Sequence, residues 1–477
     1  MSFAYPHEHL TSEVKATIIK HCVQKRKKDR YNPTQRQVNC FAVNEEDECS
    51  YLPLGLWKEL YDTFPNDYYP HPRTKMKCTK TMYTKETDPK KYRDQDVVVK
   101  QALKQLKAEH TVFLALPCGF GKTSAGNYLS CALGYKTLVI SHLKIVNEQW
   151  VDEYKTHSTA KVQHVKGSIL DPNADVYVMG VRKAALMPRD AFKDIGTVIF
   201  DEAHIATITA FTESMLNICP RYLIGLSATP DRADGMHKLL SCYFGSKKNY
   251  IVREETKDFT VFKVQTPFVP NIQYKMAPDG VMTLDWNEVI NSLAYNEKRQ
   301  AWAIKLVMNN PAAKILILTD RVLEAKSLHE KLINAGVDTD ILVEGTKSHQ
   351  WNHDCRVLVA GLKKAGVGFD DASRTVLILM TDKIDVRQFE GRIRTVNNKV
   401  YDFVDNYKTF ESHWSKSREP WYLKRGATIK VIGVKRDVAP LTETHTRFLG
   451  KMKPAKTCRA SAKATHTRFL SAIPVAA

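Results

Sequence analysis

None of the ten cysteines stands in a CxxC pair, so the sequence predicts neither a zinc ribbon nor a disulfide framework. No apolar run approaches the roughly 18 residues that a membrane span requires. The opening MSFAYPHEHL lacks both the basic start and the apolar stretch of a secretory signal. Acidic residues are the other shortage. The chain has 52 Asp and Glu against 71 Lys and Arg, a net charge of +19. That excess predicts a polyanionic partner, nucleic acid ahead of an anionic membrane. What is present suffices for folding. Over 477 residues, 43% are hydrophobic and 26% charged, enough for two or three domains with real cores. The expectation is an intracellular, soluble, basic protein, cytoplasmic or nuclear, with no membrane partner.

The charge is unevenly spread. Residues 413–477 hold 14 Lys and Arg against 3 acidic residues, which is +11 of the +19. This tail reads equally as a solvated appendage or as a nucleic-acid clamp. It also repeats THTRFL at 444–449 and 465–470, either a pair of docking motifs for a protein partner or a duplication without function.

The long middle alternates short apolar runs with amphipathic stretches, the pattern of βαβ units around parallel sheets. One set of strand candidates is 111–116, 137–141, 176–180, 197–200 and 222–227. A second is 314–319, 340–343, 357–361, 375–380 and 400–404. Runs apolar on both faces suit strands covered by helices on both sides. The predicted fold class is α/β, with two tandem parallel-sheet domains. The boundaries read as an accessory domain over 1–85, a first domain over 86–245, a connector and second domain over 246–425, and a tail over 426–477. Residues 24–30, QKRKKDR, read as a solvated face or a localisation signal.

Chemistry concentrates in two places. In TVFLALPCGFGKTSAG (111–126), an apolar strand leads through Gly119-Phe120-Gly121-Lys122-Thr123 into a helix-compatible stretch. The glycines let backbone N–H groups turn around phosphate oxygens, and the helix N-terminus faces the same phosphates. Lys122 is placed for the β- and γ-phosphates of ATP, Thr123 for Mg²⁺, and Ser124 completes the ATP-binding set. In TVIFDEAH (197–204), an apolar strand delivers Asp201 and Glu202 to the sheet edge where ligands bind. Asp201 suits Mg²⁺, and Glu202 suits activation of the attacking water.

Asp-Glu-Ala-His at 201–204, with Ser227-Ala228-Thr229 closing a later strand, resembles the superfamily 2 helicases and translocases. LPCGFGKT (116–123) and SATPDRADG (227–235) are similar to the branch of XPB-type repair helicases, phage UvsW-type helicases and the poxvirus transcript-release DNA helicase. The resemblance spans about residues 90–410. It implies two RecA-like domains with ATP in the cleft, Gln95 as adenine reader, and LVISHLKIVNEQW (138–150) touching the tracking strand. It also implies that Ser227 and Thr229 couple nucleotide state to closure, and that His204 bridges them to the carboxylates. In the second domain, ILTDR (317–321) resembles the motif after the first strand. Gly368 and Asp370, in GVGFD, resemble an element coupling nucleic acid to nucleotide. VRQFEGRIRTV (386–396) resembles the last motif, QxxGRxxR. Gln388, Gly391 and Arg392 fall in place, while Arg394 stands one residue early. The resemblance implies an arginine finger from Arg392 or Arg394. It implies an ATP- and Mg²⁺-dependent 3′→5′ DNA motor acting in transcription termination, repair or recombination, with a viral factory or virion as a further location. An RNA helicase, and a nucleotide-gated duplex sensor without unwinding, are the alternatives.

Overall fold

The computed structural model describes residues 1–25, 37–62, 73–87, 89, 92–117, 119–204, 214–228, 238–254, 256, 258–276, 280–345, 351–362, 364, 371, 373–391 and 398–434. Two seven-stranded sheets, each entirely parallel, form its frame.

The first sheet contains β1 Thr111–Ala115, β2 Thr137–Ser141, β3 Val162–His164, β4 Val176–Gly180, β5 Thr197–Asp201, β6 Tyr222–Ser227 and β7 Ile251–Val252. Their spatial order is β7-β1-β6-β5-β2-β4-β3. Every residue of β1, β2 and β5 is buried, as strands covered on both faces require. Alternate side chains enter two separate apolar clusters, Val112 and Leu114 on one side and Phe113 and Ala115 on the other. The first cluster is closed by helices α1 (Gln95–Glu109), α2 (Lys122–Leu133) and α3 (Lys144–His157). Register places the motif-bearing strand ends side by side. Ser227 of β6 pairs with Ala115 of β1, and Leu226 pairs with Asp201 of β5.

The N-terminal segment closes the opposite face. Its strands Ser2–Pro6, Cys49–Pro53 and Ala42–Asn44 form an antiparallel sheet beside the helix Ser12–Cys22. Phe3, Leu52, Leu54 and Trp57 join one cluster with Phe113, Phe200 and Phe244 of the first domain. The approach is close enough that a Cβ on Gly55 would lie 2.6 Å from the Gly245 nitrogen.

The second sheet contains β8 Phe259–Gln265, β9 Ile315–Thr319, β10 Thr339–Leu342, β11 Val357–Gly361, β12 Val376–Leu379, β13 Asn398–Val404 and β14 Ala427–Gly433. Their order is β10-β11-β9-β12-β13-β8-β14. Two of these strands differ from the sequence reading. The irregular connector contains β8, which pairs with both β13 and β14. The stretch from 426 begins with β14, so the sheet runs past residue 425. Alternation hid both. Lys263 interrupts β8, although its amine is buried and hydrogen-bonds Glu411, and β14 lies at the edge with polar residues turned outward. Among the described residues, no helix is long and apolar enough to cross a membrane. The THTRFL repeat and most of QKRKKDR lie outside the described residues.

Candidate active site

Three strand ends build the site. Beyond β1, Gly119 (φ 83°) and Gly121 (φ 95°) take left-handed conformations that carry the chain around into α2. Lys122 opens that helix, and its amine donates to the carbonyls of Leu116 (3.3 Å) and Pro117 (3.4 Å). Both acceptors are neutral carbonyls, so among the described residues the amine has no carboxylate partner. Among the described residues Ser124 Oγ is buried without a hydrogen-bond partner, and Thr123 is half-buried. Phe120 packs into the apolar cluster under the loop.

Gln95 stands at the start of α1 and is almost fully buried. Its Nε2 donates to the Phe120 carbonyl at 2.9 Å, and its Oε1 accepts from Arg93 N at 2.6 Å. The side chain therefore braces the backbone of the loop from behind. A Cβ on Gly121 would sit 3.3 Å from its amide nitrogen, a tight contact, and the φ of 95° favours glycine there.

The carboxylates come from β5. Asp201 accepts from Trp150 Nε1 at 2.8 Å through Oδ2 and from Glu202 N at 2.9 Å through Oδ1. Burial, then repulsion from Glu202, pushes its pKa up to about 6, against the pull of Trp150 and Lys122. Among the described residues Asp201 has no ion-pair partner. A buried carboxylate with no ion pair among the described residues, across from a loop with glycine turns and a lysine amine bonded to neutral carbonyls, fits a divalent metal held beside phosphates. Glu202 adopts φ 51°, an uncommon conformation for a residue with a Cβ, which turns it out of the strand. Its carboxylate lies 3.4 Å from His204 Nδ1 and 3.5 Å from Ser227 Oγ, while His204 Nδ1 and Ser227 Oγ are 3.0 Å apart. The strand register thus brings Glu202, His204 and Ser227 into one polar triangle.

Comparison with known proteins gives this geometry a family. Residues 88–232 match the family described as type III restriction enzyme, res subunit. Across a longer span the chain is 30% identical over 415 residues to 161L, a protein of Invertebrate iridescent virus 6 that carries a helicase name. That match covers 80% of this chain and 90% of the relative. The chain belongs to the superfamily 2 helicases. It is also 25% identical over 357 residues to L396 of Acanthamoeba polyphaga mimivirus, named as an ATP-dependent RNA helicase, covering 70% of this chain and 68% of that protein. Among solved structures it aligns with T4 UvsW at 15% identity and a TM-score of 0.35, covering 89% of this chain and 96% of that one.

Within the helicase frame, the two sheets are the tandem RecA-like domains. A cleft of about 300 Å³ opens between them. Ala115, Pro117 and Ala228 line it from the first domain, and Arg387, Glu390 and Gly391 from the second. The last motif therefore begins, on helix α5 (Arg387–Glu390), across the cleft from the loop of β1. Arg392, Arg394, Thr229, Gly368 and Asp370 lie outside the described residues, as does the side chain of Gln388. In the ILTDR segment, Arg321 donates to Asn291 Oδ1 (2.7 Å) and Asn287 Oδ1 (3.1 Å), bolting that turn to helix α4 (Trp286–Ala294).

Sequence reasoning left Trp150 at the end of a segment assigned to the nucleic-acid track. The structure buries it completely, against the first carboxylate of the Asp-Glu-Ala-His segment. The available signal was Gly126, four residues after Lys122, a helix-interior glycine with no turn to make.

Proposed function

We propose that this helicase-family chain is an ATP-driven motor on DNA, moving 3′→5′ along a phosphate backbone. The observation that carries the reading is the placement of Asp201, Glu202, His204 and Ser227 at one sheet edge beside the Lys122 loop. Lys122 and the backbone N–H groups of residues 119–123 hold the β- and γ-phosphates, and Gln95 keeps that loop in shape. Asp201 and Thr123 would hold Mg²⁺, which would supply neutralisation of charge on the phosphates. Glu202 accepts a proton from the water it orients, and the His204–Ser227 contact ties that carboxylate to the β6 end facing the second domain. Arg392 or Arg394 completes the site from across the cleft.

Preference for DNA rests on the branch resemblance and on the +19 charge, which any phosphate backbone satisfies. The name of the mimivirus relative favours a second reading, an RNA helicase. ATP turnover measured with duplex DNA, single-stranded DNA and RNA, beside a strand-displacement assay on the same substrates, decides. Stimulation by DNA with displacement supports the motor. Stimulation by RNA alone transfers the reading to RNA. Turnover without displacement on any substrate leaves a duplex translocase or a nucleotide-gated sensor. For the basic tail, the clean truncation removes 435–477, because a cut at 426 would also strip β14 from the sheet. A clamp requires that this truncation weaken DNA binding and flatten the slope of log affinity against log salt. An unchanged slope with loss of a pulled-down protein would identify the tail as a docking segment.

A further inference from the structure

Helix α3 lies over α2 with Val146, Trp150 and Tyr154 buried, one above another at i, i+4 and i+8. Tyr154 is pinned to α2 by a 2.7 Å hydrogen bond between its hydroxyl and Ser130 Oγ. One turn earlier, the indole of Trp150 enters a gap that exists only because residue 126 is glycine. A Cβ there would lie 2.7 Å from Trp150 Cη2. Through that gap the ring carries its single N–H to Asp201 Oδ2. A tryptophan serving only as core would have no reason to end on a carboxylate, since burying a charged acceptor costs more than burying a neutral one. With Glu202 N on the other oxygen, each oxygen of Asp201 has one donor, which fixes the rotation of the group.

We propose that Trp150 is a positioning residue for the metal site: its indole N–H, admitted by Gly126, fixes the Asp201 carboxylate in the orientation that receives Mg²⁺. The inference rests on the reading of Asp201 as the metal-holding carboxylate. Donors behind a ligating carboxylate set its direction, and their loss commonly costs ten- to a hundredfold in metal affinity.

The experiment measures binding of a fluorescent ATP analogue to the full-length protein by anisotropy, in a Mg²⁺ titration and separately in EDTA. Trp150→Phe keeps an aromatic ring in the core and removes the N–H. Gly126→Ala keeps the N–H and displaces the ring, and it reads the same contact should Trp150→Phe not fold. Both are expected to raise the Mg²⁺ concentration at the midpoint about tenfold or more, with affinity in EDTA unchanged. A Mg²⁺ midpoint equal to wild type in either folded variant overturns the proposal. So does an affinity loss of equal size with and without Mg²⁺, since that is the signature of packing alone. Asp201→Asn in the same titration separates the two levels of the argument. If it keeps the wild-type Mg²⁺ midpoint, the metal assignment itself fails.

Discussion

The two domains share one architecture, and the buried arginines of the second contrast with the buried carboxylate at a strand end of the first. In the second, each of two buried arginines is ringed by carboxylates. Arg299 lies 3.1 Å from Glu324 and 3.0 Å from Asp405, and it also donates to the Met380 carbonyl. Arg418 lies 3.1 Å from Asp382 and 3.0 Å from Asp402, whose other oxygen takes the Tyr422 hydroxyl at 2.8 Å. In the first domain, the buried Asp201 has hydrogen bonds but, among the described residues, no cation, and the nearby Lys122 points at backbone carbonyls. Matched charge holds a fold together. Charge left unmatched at a strand end waits for something that binds.

This contrast can be broken at either side. The largest effect should come from the matched side. Arg299→Met leaves Glu324 and Asp405 facing each other without their cation, and urea denaturation should show a loss of about 3–5 kcal/mol. An unchanged midpoint would mean that the cluster is not what holds the second sheet. On the unmatched side, stability should barely move and chemistry should collapse. Lys122→Ala and Glu202→Gln are each expected to cut nucleic-acid-stimulated ATP turnover by a factor on the order of 10² or more. Near wild-type turnover in Glu202→Gln would remove it from the catalytic set. A step smaller, the second domain should contribute to chemistry only through the last motif. Arg392→Ala and Arg394→Ala should both bind ATP, and at least one should lose about nine-tenths or more of turnover. Full activity in both would place the finger elsewhere.

The smallest effect concerns pH. His110 caps α1, stacks on Tyr222 with centroids 5.4 Å apart, and is pushed down to about 4 by burial. The unfolded ring, near 6.5, therefore takes up its proton first. Its contribution is complete above pH 6.5 and drains away as pH falls toward 4. His110→Asn keeps a residue that tolerates the left-handed φ of 60° and should flatten that part of the stability-against-pH curve. A slope identical to wild type would assign the acid sensitivity to other groups.

The sequence exposed those parts of the molecule whose signals are local. Ten strands were visible because runs such as FLAL and ILIL are apolar on both faces, and the loop of β1 and the end of β5 declared themselves by glycine and paired carboxylates. β7 has only two residues, β3 is partly polar, and β8 and β14 alternate, so none carries a long apolar run. The triangle of Glu202, His204 and Ser227 was legible through family likeness, since β5 and β6 are adjacent only in the folded sheet. Trp150 was not legible as part of the site. Its relation to Asp201 crosses 51 residues and depends on a missing side chain at Gly126.

The order in which strands enter the second sheet has a consequence for synthesis of the protein. The first sheet is complete once residue 252 has left the ribosome, and its N-terminal cover is already made. β8 emerges next but must wait for both of its neighbours, β13 at 398–404 and β14 at 427–433, which at 5–20 residues per second means a delay of roughly ten to thirty seconds. Throughout that interval an apolar strand hangs from a finished, loop-bearing first domain with neither edge paired. A nascent chain halted between 266 and 397 would therefore hold a folded first domain attached to an aggregation-prone strand, an attractive client for chaperones that capture extended apolar segments.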